Sequence, residues 1–135
     1  MEIYYDIEKK LDPDEFLTLL VDSTLGERRP VGEKDRIVKM CLNANLILTA
    51  RHNGKLVGIA RCLTDFAYCT YLSDLAVSES YQRMGIGKEL IRRVRKAVPE
   101  ANLILLAAPK AMEYYPRIGM TRHEGAFILK GMAKE

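Results

Sequence analysis

The sequence predicts a mixed α/β (α+β) fold with a mostly antiparallel central sheet of about six or seven strands, flanked by four helices. Three observations lead to this prediction. Hydrophobic residues change from helical spacing to short apolar or alternating runs and back again along the chain. Asn53-Gly54 joins two strand-like runs, "NLILTAR" and "KLVGIARCLT", and this dipeptide is a strong signal for a type I′ hairpin. A helical segment then separates the strand-like "TYLSDLAV" from the apolar run "NLILLAA", as in a crossover connection.

The first part of the chain predicts one short strand and two helices. "IYY" near the start indicates an edge strand. In "DPDE", Asp12 is expected to cap the first helix, Pro13 suits its first turn, and Glu15 completes a capping-box pattern. Residues 23–32 indicate a loop, and a second helix is expected from about Glu33. Apolar residues at helical spacing support it: Ile37, Met40, Cys41 and Ala44.

The second part of the chain predicts a third strand at "TYLSDLAV", a crossover helix, and two further strands. The helix has one apolar face and ends at Pro99. That face comprises Leu90, Ile91, Val94, Ala97 and Val98. The run "NLILLAA" is continuously apolar, which is typical of a strand covered on both faces. A fourth helix is expected near Pro109, and "AFILK" is expected to be the last strand.

Length and composition limit the classes of protein. A chain of 135 residues is long enough for one domain, which we expect to span 1–135. No segment approaches the roughly 18 consecutive apolar residues that a membrane span needs, and "MEIYYDIEKK" does not resemble a secretory leader. We therefore expect a cytoplasmic protein without a membrane partner.

The three cysteines do not predict a metal site. They include no C-x-x-C pair, and only two histidines are present to join them, so we expect no zinc. Cys62 and Cys69 are placed to face each other across a hairpin that turns near Asp65 and Phe66. We interpret them as reduced, half-buried small hydrophobic residues.

Charge is unevenly distributed along the chain, although its net value is only +3. Residues 83–96 contain six basic side chains and one acidic one, whereas residues 1–15 contain six acidic side chains and two basic ones. The basic region is suited to meeting an anion. Nucleic acid is not an expected partner, because no aromatic residues alternate with the arginines and tryptophan is absent.

The basic region begins with two glycines, in "QRMGIGKEL" at 82–90. A Walker loop is excluded, because Gln82 and Glu89 occupy the positions that require glycine and Ser or Thr. A dinucleotide-binding fingerprint is excluded by Leu90, which stands where the third glycine is needed. Glycine at a helix start lets an anion approach unpaired N–H groups without a metal. The alternative is that Gly85 and Gly87 serve tight packing or turn geometry.

"QRMGIG" at 82–87 resembles the acyl-CoA-binding signature Q/R-x-x-G-x-G/A of the GNAT N-acetyltransferase superfamily. It follows a strand ending in "DLAV", as in that family. In "AMEYYPRIGM", Tyr115 lies four residues before Gly119, which is similar to the family's fourth helix. The order of elements agrees from the first helix to the last strand, and the motifs match most closely between about 46 and 120. The resemblance implies an acyl-CoA N-acyltransferase fold, acetyl-CoA as co-substrate, no metal, and a small-molecule or peptide amine as acceptor.

The resemblance also implies roles for individual residues. The strand backbone would hydrogen-bond the pantetheine arm, the glycine segment would cradle the pyrophosphate, and Tyr115 would point at the sulfur. The implied cofactor-binding residues are Leu75, Ala76, Val77, Gln82, Arg83, Met84, Gly85, Ile86, Gly87 and Lys88. Two features depart from the family pattern: Pro116 disfavours a regular helix after Tyr115, and Ala108 stands where many relatives have asparagine.

Acetyl transfer to an amine needs a neutral nucleophile, a stabilised oxyanion and a protonated leaving thiolate. Tyr115 is the candidate acid, because a phenol with a pKa of about 10 can protonate a thiolate; its alternative role is core packing. Asp74 is the candidate base or ammonium ligand, and its alternative role is structural. Strand alternation predicts that Asp74 shares a face with Leu72 and Ala76.

The acceptor site is expected near the hairpin tip and the loop between the first two helices. Tyr71, together with Asp65 and Tyr68, is predicted to line an acceptor groove. Arg28 and Arg29 are candidates for binding a substrate carboxylate or phosphate, or are simply solvated.

The leading hypothesis is an acetyl-CoA-dependent enzyme that works by direct attack in a ternary complex, with a possible homodimer. The alternative is a non-catalytic acyl-CoA sensor or a small basic-patch RNA-binding module.

Overall fold

A computed structural model describes residues 1–132 and confirms the mixed α/β fold. Within these residues the sheet has five strands in the order β1-β2-β3-β4-β5, rather than six or seven. All neighbouring strands are antiparallel except β4 and β5, which are parallel. The elements are β1 Tyr4–Ile7, α1 Pro13–Asp22, α2 Lys34–Asn43, β2 Leu46–His52, β3 Lys55–Thr64, β4 Cys69–Val77, α3 Ile86–Ala97, β5 Asn102–Ile104 and α4 Tyr114–Arg117.

Helices cover the two faces of the sheet and form two hydrophobic cores. Helices α1 and α2 pack on one face, where Phe16 and Ile37 meet Ile59 of β3. Helix α3 packs on the other face through Leu90, Ile91, Val94 and Val98. Ala97, the last residue of α3, is exposed, so its predicted place on the apolar face is wrong, whereas the next residue, Val98, is buried. Within residues 1–132, no helix is long and apolar enough to span a membrane.

The structure confirms the helix cap and the hairpin turn that the sequence predicts, but not the capping box. The Asp12 carboxylate accepts the Asp14 N–H at 2.8 Å, and Pro13 opens the helix. The capping box does not form, because Glu15 pairs with Arg51 at 2.8 Å instead. The β2–β3 turn has left-handed backbone at both central residues, with φ of 51° at Asn53 and 82° at Gly54, which confirms the type I′ hairpin.

A β-bulge in β4 changes which residues share a face. Arg61 lies opposite Asp74 and Cys62 lies opposite Leu72, so Ser73 is the extra residue of the bulge and has no residue opposite it in the register with β3. Leu72 therefore belongs to the α3-side core and Ala76 to the opposite core. The predicted common face of Leu72, Asp74 and Ala76 is wrong, because one extra residue shifts a period-two pattern.

The bulge region also separates the two cysteines near the second hairpin. Cys62 is buried opposite Leu72, while Cys69 is exposed, so the two do not face each other. Both are free thiols. Burial raises the pKa of the Cys62 thiol to about 12, which makes it an inert core residue.

The last two predicted strands differ from expectation. Strand β5 has only three residues and is an edge strand; Leu103 and Leu105 pack on the α3-side core, but Ile104 and Leu106 are exposed. It is therefore not covered on both faces. "AFILK" forms no strand, because no strand of residues 1–132 lies beside it to accept its backbone hydrogen bonds.

Candidate functional site

A groove opens where β4 and β5 stop pairing. The parallel ladder joins Cys69–Tyr71 to Asn102–Ile104, and no strand of residues 1–132 lies beside the rest of β4 on that side. The groove has a volume of about 300 Å³. It is lined by residues of the α1–α2 loop, of β4 and of the segment after β5: Ser23, Thr24, Leu25, Arg29, Leu72, Ser73, Leu75, Ala76, Val77, Gln82, Leu105, Leu106, Ala108, Lys110, Ala111 and Tyr115.

The backbone of β4 offers hydrogen-bonding groups to this groove. The Ser78 N–H donates to the Val57 carbonyl of β3 at 2.8 Å. Because backbone groups alternate sides along an antiparallel strand, those of Val77 and Leu75 point toward the groove. Ala76 lies opposite Ile59 and its backbone groups point to β3, so its predicted role as a backbone ligand is corrected. The side-chain amide of Gln82 donates to the Val77 carbonyl at 2.9 Å, which leaves the Val77 N–H available.

The glycine segment presents unpaired N–H groups and directly follows Gln82, which lines the groove. Gly85 caps α3 with a φ of 81°, and Arg83 is also left-handed, with a φ of 65°. None of the backbone N–H groups from residue 83 to 88 donates to another group within the described residues. The first hydrogen bond of the helix is donated by the Glu89 N–H to the Gly85 carbonyl at 3.0 Å. Such a helix start carries partial positive charge and suits an anion.

Gly87 connects the glycine segment to the groove. A Cβ at this position would lie 3.3 Å from the Tyr114 hydroxyl and within 4.0 Å of the side chains of Leu75 and Val77. The bare backbone of Gly87 therefore lets the start of α3 pack closely against these side chains, which is the packing alternative for this glycine.

Tyr115 lies on α4 and lines the groove. Its ring packs against the α3-side core. Burial, and to a smaller extent the neighbouring Tyr114, raises the pKa of Tyr115 above its ordinary value, so the phenol stays protonated at neutral pH. Pro116 is compatible with this short helix, because it lies in the first turn, where an N–H has no helical partner.

Asp74 is held in a buried ion-pair cluster and does not line the groove. One of its oxygens accepts from Nε of Arg29 and the other from Nε of Arg61. The carboxylate is 0% exposed, so an incoming amine cannot reach it. This arrangement favours the structural alternative for Asp74 over the role of base or substrate ligand.

The two arginines of the α1–α2 loop differ in their roles. Arg29 donates to Asp74, to the Ser73 carbonyl at 2.7 Å and to the Arg28 carbonyl at 2.9 Å. It is therefore mainly an anchor of the loop, although it also lines the groove. Arg28 is exposed and does not line the groove, so the prediction that it binds substrate there is not supported by its position.

The hairpin-tip residues lie away from the groove. Tyr71 lines a separate shallow depression with Leu63 and Ile104, so its predicted place in the acceptor groove is corrected. Asp65 accepts three backbone N–H groups of its own turn, and these bonds lower its pKa to about 2. Its role is to close the hairpin.

Several groove residues carry no motif, and sequence reasoning missed them. Ser23, Thr24 and Leu25 come from the α1–α2 loop, and Lys110 follows the turn after β5. They meet only because the loop is anchored on the bulge of β4. The sequence predicted a loop at residues 23–32 and a turn near Pro109, but it did not identify these side chains.

A groove along an unpaired strand edge, with free amides at a helix start directly after one of its lining residues, has the features of an acyl-CoA-binding site. The comparisons agree with this class: residues 5–120 match the model of the acetyltransferase (GNAT) family. The chain belongs to the GNAT acetyltransferase family, whose general reaction is acetyl transfer from acetyl-CoA.

Two sequence relatives are also described as N-acetyltransferases. The chain is 27% identical over 135 residues to an uncharacterized N-acetyltransferase, ycf52, of Pyropia yezoensis, covering 97% of this chain and 76% of that protein. It is 31% identical over 113 residues to a ycf52-like N-acetyltransferase of Prochlorococcus marinus, covering 78% of this chain but only 61% of that protein.

Solved structures share the fold. A GNAT family acetyltransferase of Streptococcus pneumoniae TIGR4 superposes with a TM-score of 0.79 at 21% identity, covering 99% of this chain and 100% of that one. An aminoglycoside acetyltransferase from an uncultured soil metagenomic sample, in complex with sisomicin, has a TM-score of 0.68 at 19% identity, covering 98% and 97%. At these identities the likeness concerns the fold alone.

Proposed function

We propose that this protein transfers the acetyl group of acetyl-CoA to a primary amine of a small molecule or peptide, by direct attack within a ternary complex. One observation carries the proposal: two features that the reaction needs line the groove, and the third directly follows Gln82, which is a lining residue. These are the free β4 edge at Leu75 and Val77, the protonated Tyr115, and the unpaired amides from residue 83 to 88.

Each feature has a defined task in the proposed reaction. The pantetheine arm lies along β4 as an extra strand, and the pyrophosphate accepts the α3 amides, which requires no cation. The amine nitrogen forms a bond to the thioester carbon, and the carbon–sulfur bond then breaks. Tyr115 gives its proton to the departing thiolate, and the phenolate recovers a proton that the amine has released through water.

The lining of the groove favours a particular kind of acceptor. Its charged members within the described residues are Arg29 and Lys110, both cationic, and no carboxylate lines it. Repulsion disfavours a polyamine or another polycation, whereas a carboxylate or phosphate near the reacting amine is attracted. We therefore propose an amine that carries an anionic group, deprotonated by water rather than by Asp74.

The test is release of free CoA from acetyl-CoA with three groups of primary amines, namely anionic, neutral and polycationic. We expect turnover with the anionic group and little with spermidine-like polycations. Tyr115→Phe should lower kcat more than it lowers affinity for acetyl-CoA, and Tyr68→Phe, at an exposed residue outside the groove, should change neither.

Two outcomes would contradict parts of this proposal. If CoA binds but no amine in the panel is acetylated, the enzymatic role fails and an acyl-CoA sensor is favoured. If polycations are the preferred acceptors, the protein is still an acetyltransferase, but the proposal that its acceptor carries an anionic group is wrong.

A further inference from the structure

The hydroxyl of Tyr114 lies against the first turn of α3. Tyr114 begins α4, and Gly87 is the second residue of α3. A Cβ at Gly87 would lie 3.3 Å from the Tyr114 hydroxyl oxygen. The side chains of Leu75 and Val77, which line the groove, lie within 4.0 Å of the same Cβ position. The tip of the phenol therefore lies where the start of α3 meets the wall of the groove.

This hydroxyl has no hydrogen-bond partner among residues 1–132. Burial alone raises the pKa of Tyr114 above its ordinary value, with no hydrogen bond contributing. No buried side-chain oxygen or nitrogen of these residues lacks a partner, so the Tyr114 hydroxyl is open to solvent. The phenol is protonated at neutral pH and can donate a hydrogen bond to a ligand.

Packing alone does not account for this hydroxyl. The ring of Tyr114 lies edge to face against the ring of Tyr115, with 5.2 Å between the ring centroids and 77° between the ring planes. A phenylalanine ring would make the same contact without a half-buried hydroxyl that has no partner in the described residues. The polar atom therefore indicates a partner outside the chain.

The neighbouring amides indicate that this partner is an anion. Gly87 belongs to the run of backbone N–H groups from residue 83 to 88 that donate to nothing within the described residues. In the proposed function these amides bind the diphosphate of acetyl-CoA. An O–H group that donates to a charged oxygen forms a hydrogen bond that is shorter and stronger than one to a neutral acceptor.

We propose that the Tyr114 hydroxyl donates a hydrogen bond to the diphosphate of acetyl-CoA, beside the amides of α3. This inference rests on the proposed function, because it adds a side-chain ligand to the same cofactor site. It also separates the roles of two adjacent tyrosines. Tyr114 binds the co-substrate and transfers no proton, whereas Tyr115 protonates the departing thiolate. Loss of the Tyr114 hydroxyl should therefore weaken binding without slowing the bound complex.

The first test is the affinity of Tyr114→Phe for CoA by titration calorimetry. Removing the hydroxyl should raise Kd about tenfold, as expected for the loss of one hydrogen bond to a charged group. Tyr5→Phe is the matched control, because Tyr5 is also a half-buried tyrosine on the α3-side core but lies on β1, at the opposite edge of the sheet. It should bind CoA as the natural protein does. Thermal unfolding establishes that both variants are folded.

The second test locates the hydrogen bond on the cofactor. The probe is 3′-phosphoadenosine 5′-diphosphate, which keeps the diphosphate and lacks the pantetheine arm. Tyr114→Phe should lose affinity for this nucleotide by the same factor as for CoA. A loss for CoA without a loss for the nucleotide would assign the hydroxyl to the pantetheine arm and overturn the proposal.

The remaining outcomes separate this inference from the proposed function. Unchanged affinity of Tyr114→Phe for CoA would overturn the inference alone. A natural protein that gives no heat with CoA would overturn the proposed function as well. With an amine that the natural protein acetylates, kcat of Tyr114→Phe at saturating acetyl-CoA should be unchanged, and a large fall in kcat at unchanged affinity would instead make Tyr114 part of the chemistry.

Discussion

Replacing Asp74 with asparagine tests whether this residue holds the structure together or takes part in proton transfer. Its carboxylate is 0% exposed and lies between Arg61, whose side chain is 7% exposed, and Arg29, which is 20% exposed. Asparagine keeps the size of the side chain but removes the negative charge. Two guanidinium groups would then share a buried position with no anion between them.

The expected cost is large relative to the stability of a small domain. Breaking a buried ion pair by removing one partner costs about 3–5 kcal/mol. Domains of this kind are stabilised by about 5–15 kcal/mol in total. For a chain of this length, each kcal/mol shifts Tm by about 3–5 °C, so Tm should fall by about 10–25 °C.

Urea unfolding measures the stability of the variant, and CoA release per folded molecule measures its kcat. Asp14→Asn is the control, because Asp14 pairs with Lys34 on the surface and is 78% exposed, so little change in stability is expected. If Asp74→Asn unfolds at the same urea concentration as the natural protein while kcat falls by orders of magnitude, the structural interpretation is wrong and Asp74 acts in the chemistry.

Three further predictions follow from the site and the hairpin. Gly87→Val places a side chain against Leu75 and should weaken CoA binding about tenfold or more by calorimetry, whereas Gly32→Val, with open space around it, should not. Because burial raises the pKa of Tyr115 above 10.0, ionisation of this phenol should not lower kcat below pH 10. A fall in kcat below pH 10 that is absent in Tyr115→Phe would contradict the role of Tyr115 as the acid. The pKa of Asp65 is lowered from 3.8 to about 2, so its contribution to stability is present above pH 4 and is lost as the pH falls toward 2; thermal unfolding of Asp65→Asn should lack this acid-dependent loss, and an unchanged profile would refute the turn-closing role.

Features that depend on near neighbours in sequence could be predicted. The left-handed turn at Asn53-Gly54 and the cap at Asp12 involve residues within two or three positions of each other. The glycine segment could be found for a related reason: its unpaired groups are its own main-chain amides, and Gly85, which has open space beside it, marks where a ligand can approach them.

Features that depend on distant contacts could not be predicted. The bulge at Ser73 has no sequence signal, yet it moved Leu72 to the opposite face from Ala76. The ion pair of Asp74 with Arg29 joins residues 45 positions apart, so the sequence left both its structural and its chemical role open and did not identify its partners. The strand expected at "AFILK" lacked a partner within residues 1–132, because strand formation needs a second segment that periodicity does not identify.

The bulge explains why the two halves of the groove are stabilised separately. The carbonyl of Ser73 accepts from Arg29 and its hydroxyl accepts from Arg61, while Asp74 joins both arginines. This cluster fixes the loop that supplies Ser23, Thr24 and Leu25 to one wall. The cofactor half rests instead on the pairing of Leu75, Ala76 and Val77 with β3 and on the start of α3, which lie beyond the bonds that the cluster makes at Ser73 and Asp74. Damage to the cluster should therefore raise KM for the amine before it changes affinity for CoA, because the acceptor wall loses its support while the amides from residue 83 to 88 remain in place.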